Sequence, residues 1–221
     1  MRIHRSRPAL AVAATAASVV VAFALTACAS NTSAGNPGDQ VSSSQASGAG
    51  QPSTRPREPA GFGWFGARST PGGWQRVSLP NGTGVLSYPR SMHALISDQG
   101  TVSEGLTTKS GTLLVYLNVT PKQGHETLRD WPGFRVGHLL DDDASGARIT
   151  GHATGLAFHG GQGSCVLDAY TTKAHANHYR EIACFVQGSR GASVLVAATP
   201  AADWGTYADL LEEAVNAYAV R

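Results

Sequence analysis

Two cysteines in the second half of the chain have a spacing that allows them to form a disulfide bond with each other. Cys165 and Cys184 lie in the segments 164–173 and 178–187, which have the composition of strands joined by a short turn. If Lys173 pairs with Ala176 across a two-residue turn, Cys165 lies directly opposite Cys184; a four-residue turn would place them diagonally on the same face. We therefore predict a disulfide in an oxidising compartment; two free buried thiols are the alternative.

The start of the chain has the pattern of an export signal. Arg2, Arg5 and Arg7 precede a run without charge over 8–27. A charged segment followed by an apolar one is typical of a signal peptide, which we expect over 1–27. The alternative is a transmembrane anchor over 9–27, which is close to the minimum length for a span. Either interpretation places the rest of the chain outside the cytoplasm.

The third cysteine directly follows this apolar run. The quartet Leu25, Thr26, Ala27 and Cys28 resembles the lipobox of bacterial lipoproteins. This resemblance implies that Cys28 receives a diacylglyceryl thioether and becomes the first residue after cleavage. Two or three acyl chains on one residue give stable membrane anchoring. We therefore expect a lipid-anchored protein on the extracytoplasmic face of the cell membrane.

Charge and composition exclude one class of partner and predict a tether. The sequence has 17 Lys and Arg against 15 Asp and Glu, and removing Arg2, Arg5 and Arg7 leaves 14 against 15, a net charge of −1. Without a basic cluster, nucleic acid is not an expected partner. The segment 28–60 is rich in Ser, Gly and Pro, which predicts a disordered tether behind the lipidated cysteine.

No catalytic motif is present in the sequence. The G-x-S-x-G elbow and Ser-x-x-Lys are both absent, and Ser164 has no histidine placed by sequence to activate it. Asp168, Arg180 and Glu181 are predicted to form cross-strand pairs on the solvent face of a hairpin. The expectation is a protein that is not an enzyme and needs no cofactor. A hydrolase whose active site is assembled from distant loops remains an alternative.

Metal binding is also not predicted. Asp141, Asp143, Ser145 and Gly146 match part of an EF-hand loop, but position 12 is His152 instead of Glu. The histidines lack metal-site spacing on a common helix and are expected at the solvated surface. The six of the eight histidines considered as ligands are His125, His138, His152, His159, His175 and His178.

An aromatic and glycine-rich segment over 61–73 precedes the main run of predicted elements. It contains G-x-G-x-x-G, but it lies between Pro59 and Pro71 and lacks the strand and helix that a phosphate loop needs. Phe62, Trp64 and Phe65 have two interpretations. The rings dock on the core of the domain, or they form an exposed binding patch for a partner or lipid.

The remaining sequence, 74–221, predicts one globular domain of the α+β class. Four strands, a helix, four strands and a final helix follow in order, with hairpin connections that favour a largely antiparallel sheet and helices packed on it. The predicted strands are 74–79, 85–88, 101–108, 112–118, 148–158, 164–173, 178–187 and 192–198, and a broken or late-starting helix covers 126–140. The final helix begins after Asp203 as N-cap, with Tyr207, Leu211, Ala214 and Tyr218 on one stripe.

This order of elements resembles the PsbP/Mog1-type fold. Trp74 with its strand, Tyr88-Pro89, the strand at 113–118 and Trp204 carry the resemblance. Together with the lipobox, the chain is similar to the LpqN-like lipoproteins of actinobacteria. The resemblance implies a non-catalytic binding or assembly module for an envelope protein or a lipid ligand, with no functional residues to transfer. A structural cell-wall protein without a small ligand is a further alternative.

Overall fold

A computed structural model describes residues 61–141, 144–174 and 176–221. The expectations for the signal peptide, for Leu25, Thr26, Ala27 and Cys28, and for the tether lie outside the described residues. Asp143 and His175 lie outside them as well. Among the described residues, no helix combines the length and apolar character that a membrane span requires.

The described residues form ten strands and two α-helices. In chain order these are β1 (Trp74–Ser78), β2 (Gly84–Pro89), β3 (His93–Ala94), β4 (Val102–Thr107), β5 (Leu113–Pro121), α1 (Trp131–Asp141), β6 (Ala144–Phe158), β7 (Gly161–Thr172), β8 (His178–Gly188), β9 (Gly191–Pro200), α2 (Trp204–Asn216) and β10 (Ala219–Val220). A short 3-10 helix, Ala201–Asp203, precedes α2.

The strands form two antiparallel sheets. A seven-stranded sheet has the order β3-β4-β5-β9-β8-β7-β6, and a three-stranded sheet has the order β1-β2-β10. The predicted α+β class with a largely antiparallel sheet is confirmed. The sequence prediction missed β3 and β10, because strands of two residues are too short to show a period.

Each face of the seven-stranded sheet packs against a different layer. On one face, α2 and the three-stranded sheet enclose the larger core, which includes Leu117, Ile182 and Leu211. On the other face, α1 covers a smaller core that includes Trp131 and Phe185. The central strands β8 and β9 are therefore apolar at successive positions, since both of their faces are buried.

The predicted disulfide is confirmed. Cys165 on β7 lies directly opposite Cys184 on β8, and the two are joined by a disulfide in the larger core. The register follows the predicted pairing down to Thr171 opposite His178. A backbone hydrogen bond of 2.9 Å from Thr172 N–H to the Asn177 carbonyl continues it toward the turn.

The aromatic segment does not form an exposed patch. The Phe62 side chain is only 2% exposed and belongs to the larger core, and Trp64 and Phe65 pack against that core while partly buried. The Phe65 ring lies 4.8 Å from the ring of Phe158, centroid to centroid. Of the two interpretations, docking on the core describes Phe62, whereas Trp64 and Phe65 pack against the core and keep part of their surface exposed.

The two helices differ from prediction at their starts. The first begins late, at Trp131, with Pro132 in its first turn, where a missing N–H is tolerated. The second has Asp203 at its N-cap position, but the Asp203 side chain makes no capping hydrogen bond. The preceding 3-10 turn replaces the predicted side-chain cap.

Candidate functional site

A cleft of about 420 Å³ lies between α1 and strands β5 and β9 of the seven-stranded sheet. We call it the α1 cleft. Its apolar surface comes from Trp131, Phe134, Val194 and Val196. Polar and charged residues complete the lining, namely Asp98, Asn118, Thr120, Gln123, Gly124, Glu126, Arg135 and His138. The cleft is therefore amphipathic, as small-molecule sites commonly are.

The position of α1 is set by local sequence and by burial of one helix face. Thr127 Oγ1 accepts a hydrogen bond of 3.1 Å from the Asp130 N–H, which closes the turn before the helix. Trp131, Arg135 and Leu139 lie at i, i+4 and i+8 and are the buried residues of the helix. The Trp131 indole N–H donates to the Ala183 carbonyl at 2.9 Å, which fixes the helix above β8.

A buried charge cluster lies between α1 and the sheet and shares Arg135 with the cleft. The cluster comprises Arg135, Asp168, Tyr170 and Glu181. Arg135 donates from Nε to Glu181 Oε1 at 2.7 Å and forms an ion pair through Nη2 with the same oxygen at 2.5 Å. Asp168 is the direct cross-strand partner of Glu181, so a second buried carboxyl group lies beside this ion pair. Both carboxyl residues are at most 1% exposed.

Burial dominates the electrostatics of this cluster. Desolvation, followed by the neighbouring Glu181 charge, raises the pKa of Asp168 to about 9. The same two causes raise the pKa of Tyr170 above its usual range. Burial lowers the pKa of Arg135, but the charges of Glu181 and Asp168 raise it, and the net direction is upward. At neutral pH the cluster therefore holds one Arg135–Glu181 ion pair beside a protonated Asp168.

The predicted cross-strand pairs on a solvent face were wrong. Asp168 and Glu181 point to the buried face under α1, where Glu181 forms an ion pair with Arg135. Arg180 faces the opposite side of the sheet, where its guanidinium lies 4.2 Å from the Trp204 ring centroid. The prediction failed because it assumed a solvated face on a strand that is covered on both sides.

Ser164 forms no hydrogen bond with a histidine in the described part of the chain. Ser164 is fully buried, and its Oγ atom has no hydrogen-bond partner among the described residues. The histidines within the described ranges are all exposed: His93, His125, His138, His152, His159 and His178. Within residues 61–141, 144–174 and 176–221, no group of three or more His, Cys, Asp or Glu residues has a metal-binding arrangement.

Sequence reasoning missed Arg135, although a signal was present. The stripe of Trp131, Arg135 and Leu139 places an arginine between two large apolar residues on one helix face. The run from Ile182 to Val186 contains no polar residue, which indicates a strand buried on both faces. Together these patterns predict a buried cation near the buried acid Glu181. The cleft itself depends on loop positions that periodicity does not give.

Comparisons with known proteins support the fold. No protein-family model matches the sequence, and no curated protein does either. The structure is similar to the solution structure of cyanobacterial PsbP (CyanoP) from Synechocystis sp. PCC 6803. That match has a TM-score of 0.51 and 14% identity, and covers 71% of this chain and 98% of that chain. The predicted PsbP-type fold is thereby confirmed.

A second solved structure is similar to this chain with a lower TM-score. It is that of LpqN, involved in cell envelope biogenesis of Mycobacterium tuberculosis, with a TM-score of 0.44 and 12% identity. This match covers 66% of this chain and 90% of that chain.

Proposed function

We propose that the protein is an exported lipoprotein, anchored to the cell membrane through Cys28, whose PsbP-type domain is a non-catalytic binding module. The export signal and the Leu25–Cys28 quartet support the anchor. The disulfide agrees with an oxidising compartment outside the cytoplasm. The domain then acts by contact with a ligand or partner at the cell envelope.

The α1 cleft is the ligand site in this proposal, and its mixed lining is the observation that carries it. The Trp131 and Phe134 rings stack with centroids 6.0 Å apart beside Val194 and Val196. An apolar surface of this kind binds a hydrocarbon chain, while the polar lining binds a head group. We therefore infer a lipidic ligand, since about 420 Å³ admits a chain but not a folded partner.

The cleft is tested with a fluorescent long-chain fatty acid and the purified full chain. Phe134→Ala removes a partly buried ring from the cleft and should weaken binding about tenfold, as expected for loss of one large apolar contact. Leu140→Ala is the matched control, because Leu140 is on the same helix but 46% exposed. Equal affinities in the parent chain and both variants, or no binding at all, would count against the cleft and favour a structural cell-wall role.

The anchor is tested separately by Cys28→Ala. Without the thiol no thioether forms, so we expect loss of metabolic lipid labelling and accumulation of the uncleaved precursor. Labelling and gel mobility unchanged from the parent chain would contradict the lipoprotein assignment. This result is independent of what the cleft binds.

A second candidate is an envelope hydrolase, favoured by the presence of His138 and the acids Asp98 and Glu126 in one cleft. The Glu126 carboxylate is already engaged, accepting the Gly124 N–H at 2.8 Å. Ester turnover by the purified chain that is abolished in His138→Gln, with fatty-acid binding retained, would favour the hydrolase over the binding module.

A further inference from the structure

A second cavity, of about 670 Å³, lies against the three-stranded sheet. Val85 and Ser87 of β2 line it, whereas Leu86 between them points into the larger core. Arg68, Arg76, His159 and Arg221 bring basic side chains to its walls. We call this cavity the basic pocket. It is separated from the α1 cleft by the seven-stranded sheet, since the three-stranded sheet packs on the opposite face from α1.

The titratable side chains that line the basic pocket are all basic. Of the described residues that line it, none is Asp or Glu. Arg68 is held by Glu213 at 3.3 Å, but its side chain remains 60% exposed. Arg76 and Arg221 form no ion pair with any residue in the described ranges, and both are exposed. Two guanidinium groups are therefore available to an anion, within a chain whose part after Ala27 is slightly acidic.

Backbone hydrogen bonds hold the segments that carry these side chains. The Arg68 N–H donates to the Asn216 carbonyl at 2.8 Å, and the Arg221 N–H donates to the Thr83 carbonyl at 3.2 Å. The Val220 N–H donates to the His159 carbonyl at 2.8 Å, which ties the end of β6 to β10. The basic residues thus come from four separate positions in the chain onto walls that are already ordered, which lowers the entropy cost of binding.

One wall of the basic pocket depends on a close approach between two backbone segments. Gly160 has a φ of +80°, and a Cβ at this position would lie only 2.0 Å from the Val220 carbonyl oxygen. A side chain there would push β10 away from His159 and open the wall. Glycine at position 160 therefore allows β10 to lie against His159, which sets one wall of the pocket.

We propose that the basic pocket binds a phosphate group carried by an organic ligand. The planar fork of arginine matches phosphate oxygens in bidentate geometry, and hydroxyls of Ser69 and Thr70 lie in the same lining. A cavity of about 670 Å³ exceeds the size of phosphate and leaves space for the organic part. A lipid head group and a free phosphorylated compound share this chemistry. The inference is independent of the α1 cleft and of the anchor.

The test uses titration calorimetry on the purified full chain in neutral detergent. The probes are inorganic phosphate, glycerol 3-phosphate, and mixed micelles containing phosphatidylglycerol or phosphatidylcholine. Arg76→Gln and Arg221→Gln should each weaken phosphate-group binding about tenfold, and the double variant about a hundredfold, as expected for charge-assisted hydrogen bonds. Arg148→Gln is the matched control, because Arg148 is an exposed arginine on β6 outside the pocket.

The probes separate the two sources of the ligand. Binding of glycerol 3-phosphate that depends on Arg76 and Arg221 supports a free phosphorylated compound. Dependence seen only with phosphatidylglycerol supports a lipid head group. The proposal is overturned if no probe binds, if the double variant binds as the parent chain does, or if Arg148→Gln weakens binding equally. Thermal unfolding of each variant checks that the exposed substitutions leave the fold intact.

Discussion

The two buried faces of the seven-stranded sheet satisfy their polar groups differently. On the α2 face, the buried hydroxyls are bonded: Ser193 Oγ lies 2.6 Å from the Tyr218 hydroxyl, and Thr199 Oγ1 donates to the Leu114 carbonyl at 2.8 Å. On the α1 face, Asn118 Nδ2 donates to Ser103 Oγ at 2.9 Å, but Ser164 Oγ, both Asp168 oxygens and Glu181 Oε2 have no partner among the described residues. Buried polar groups without partners cost free energy.

This difference assigns different roles to the two faces. The α2 face carries the disulfide and the larger apolar core, so it supplies most of the burial that stabilises the fold. The α1 face has one helix of 11 residues over part of the sheet, and it leaves the cleft open. The α1 face therefore retains buried charges and an open cleft, whereas the hydroxyls named above on the α2 face are hydrogen-bonded. Departures of this kind are expected at functional sites, so we expect the binding function on the α1 face.

The largest expected effect is on the α1 face, from Arg135→Met. The substitution leaves the Glu181 carboxylate buried without its cation, which should lower the free energy of unfolding by about 3–5 kcal/mol. Urea unfolding at neutral pH measures the change. Arg148→Met, at an exposed arginine, should change stability by less than about 0.5 kcal/mol.

A double variant distinguishes lost charge compensation from lost packing. In Arg135→Met with Glu181→Met neither charge is buried, so most of the loss should be recovered. If the double variant is as unstable as Arg135→Met alone, the ion pair is not what holds α1 in place.

On the α2 face, removing the disulfide should have the next largest effect. Cys165→Ala with Cys184→Ala should lower the free energy of unfolding by about 3 kcal/mol, since the bridge closes a loop with a sequence separation of 19. Denaturant unfolding of oxidised and reduced protein measures it, and reduced parent chain should match the variant closely.

Ser164→Ala provides the contrast at the neighbouring position on the opposite face. The Ser164 hydroxyl is buried without a partner, so its removal should be neutral or stabilising. A loss comparable to that of the cysteine variant would show that the Ser164 hydroxyl is satisfied, and the proposed difference between the faces would then be wrong.

The contrast between the faces also explains what the sequence predicts well. The cysteine hairpin follows from local alternation and a short turn, so its register and disulfide could be predicted from residues 164–187 alone. The late start of α1 follows from Pro132. These features depend on residues that are close in sequence.

The α1 site depends on contacts between residues far apart in sequence. Arg135 and Glu181 are separated by 46 positions, and a strand pattern alone does not show which face a helix covers. Asp168 and Glu181 were therefore placed on the solvent side. The Phe62 ring was left between two interpretations for the same reason, since its docking surface is formed by later strands.

The ionisation of Asp168 gives a pH-dependent test of the α1 face. Its pKa is about 9 in the folded protein against a usual value of 3.8, so the folded state binds the proton more tightly than the unfolded state. The contribution of this group to stability is therefore present below pH 4 and is lost as pH rises toward 9. The Asp168→Asn variant has no titratable group at this position, so its stability lacks this dependence on pH.

Relative to the parent chain, Asp168→Asn should gain stability as pH rises between about 4 and 9, by at most about 1.4 kcal/mol per pH unit. Urea midpoints over this range measure the difference. Asp209→Asn, an exposed acid on α2, is the control and should show no such trend. A difference between Asp168→Asn and the parent chain that does not vary with pH would show that the Asp168 carboxyl is ionised in the folded protein.

A further comparison uses two arginines on opposite faces, where a small loss is expected at the partly exposed one. Arg180 precedes Glu181 in the chain, but its guanidinium lies over the Trp204 ring on the α2 side and is partly exposed. Arg180→Gln should cost only about 0.5–1 kcal/mol, the range for a cation–π contact with access to solvent. Urea unfolding beside Arg135→Met makes the comparison direct. If Arg180→Gln were as costly as Arg135→Met, burial of the Arg135–Glu181 pair could not be the reason for the larger effect, because Arg180 leaves no buried carboxylate uncompensated.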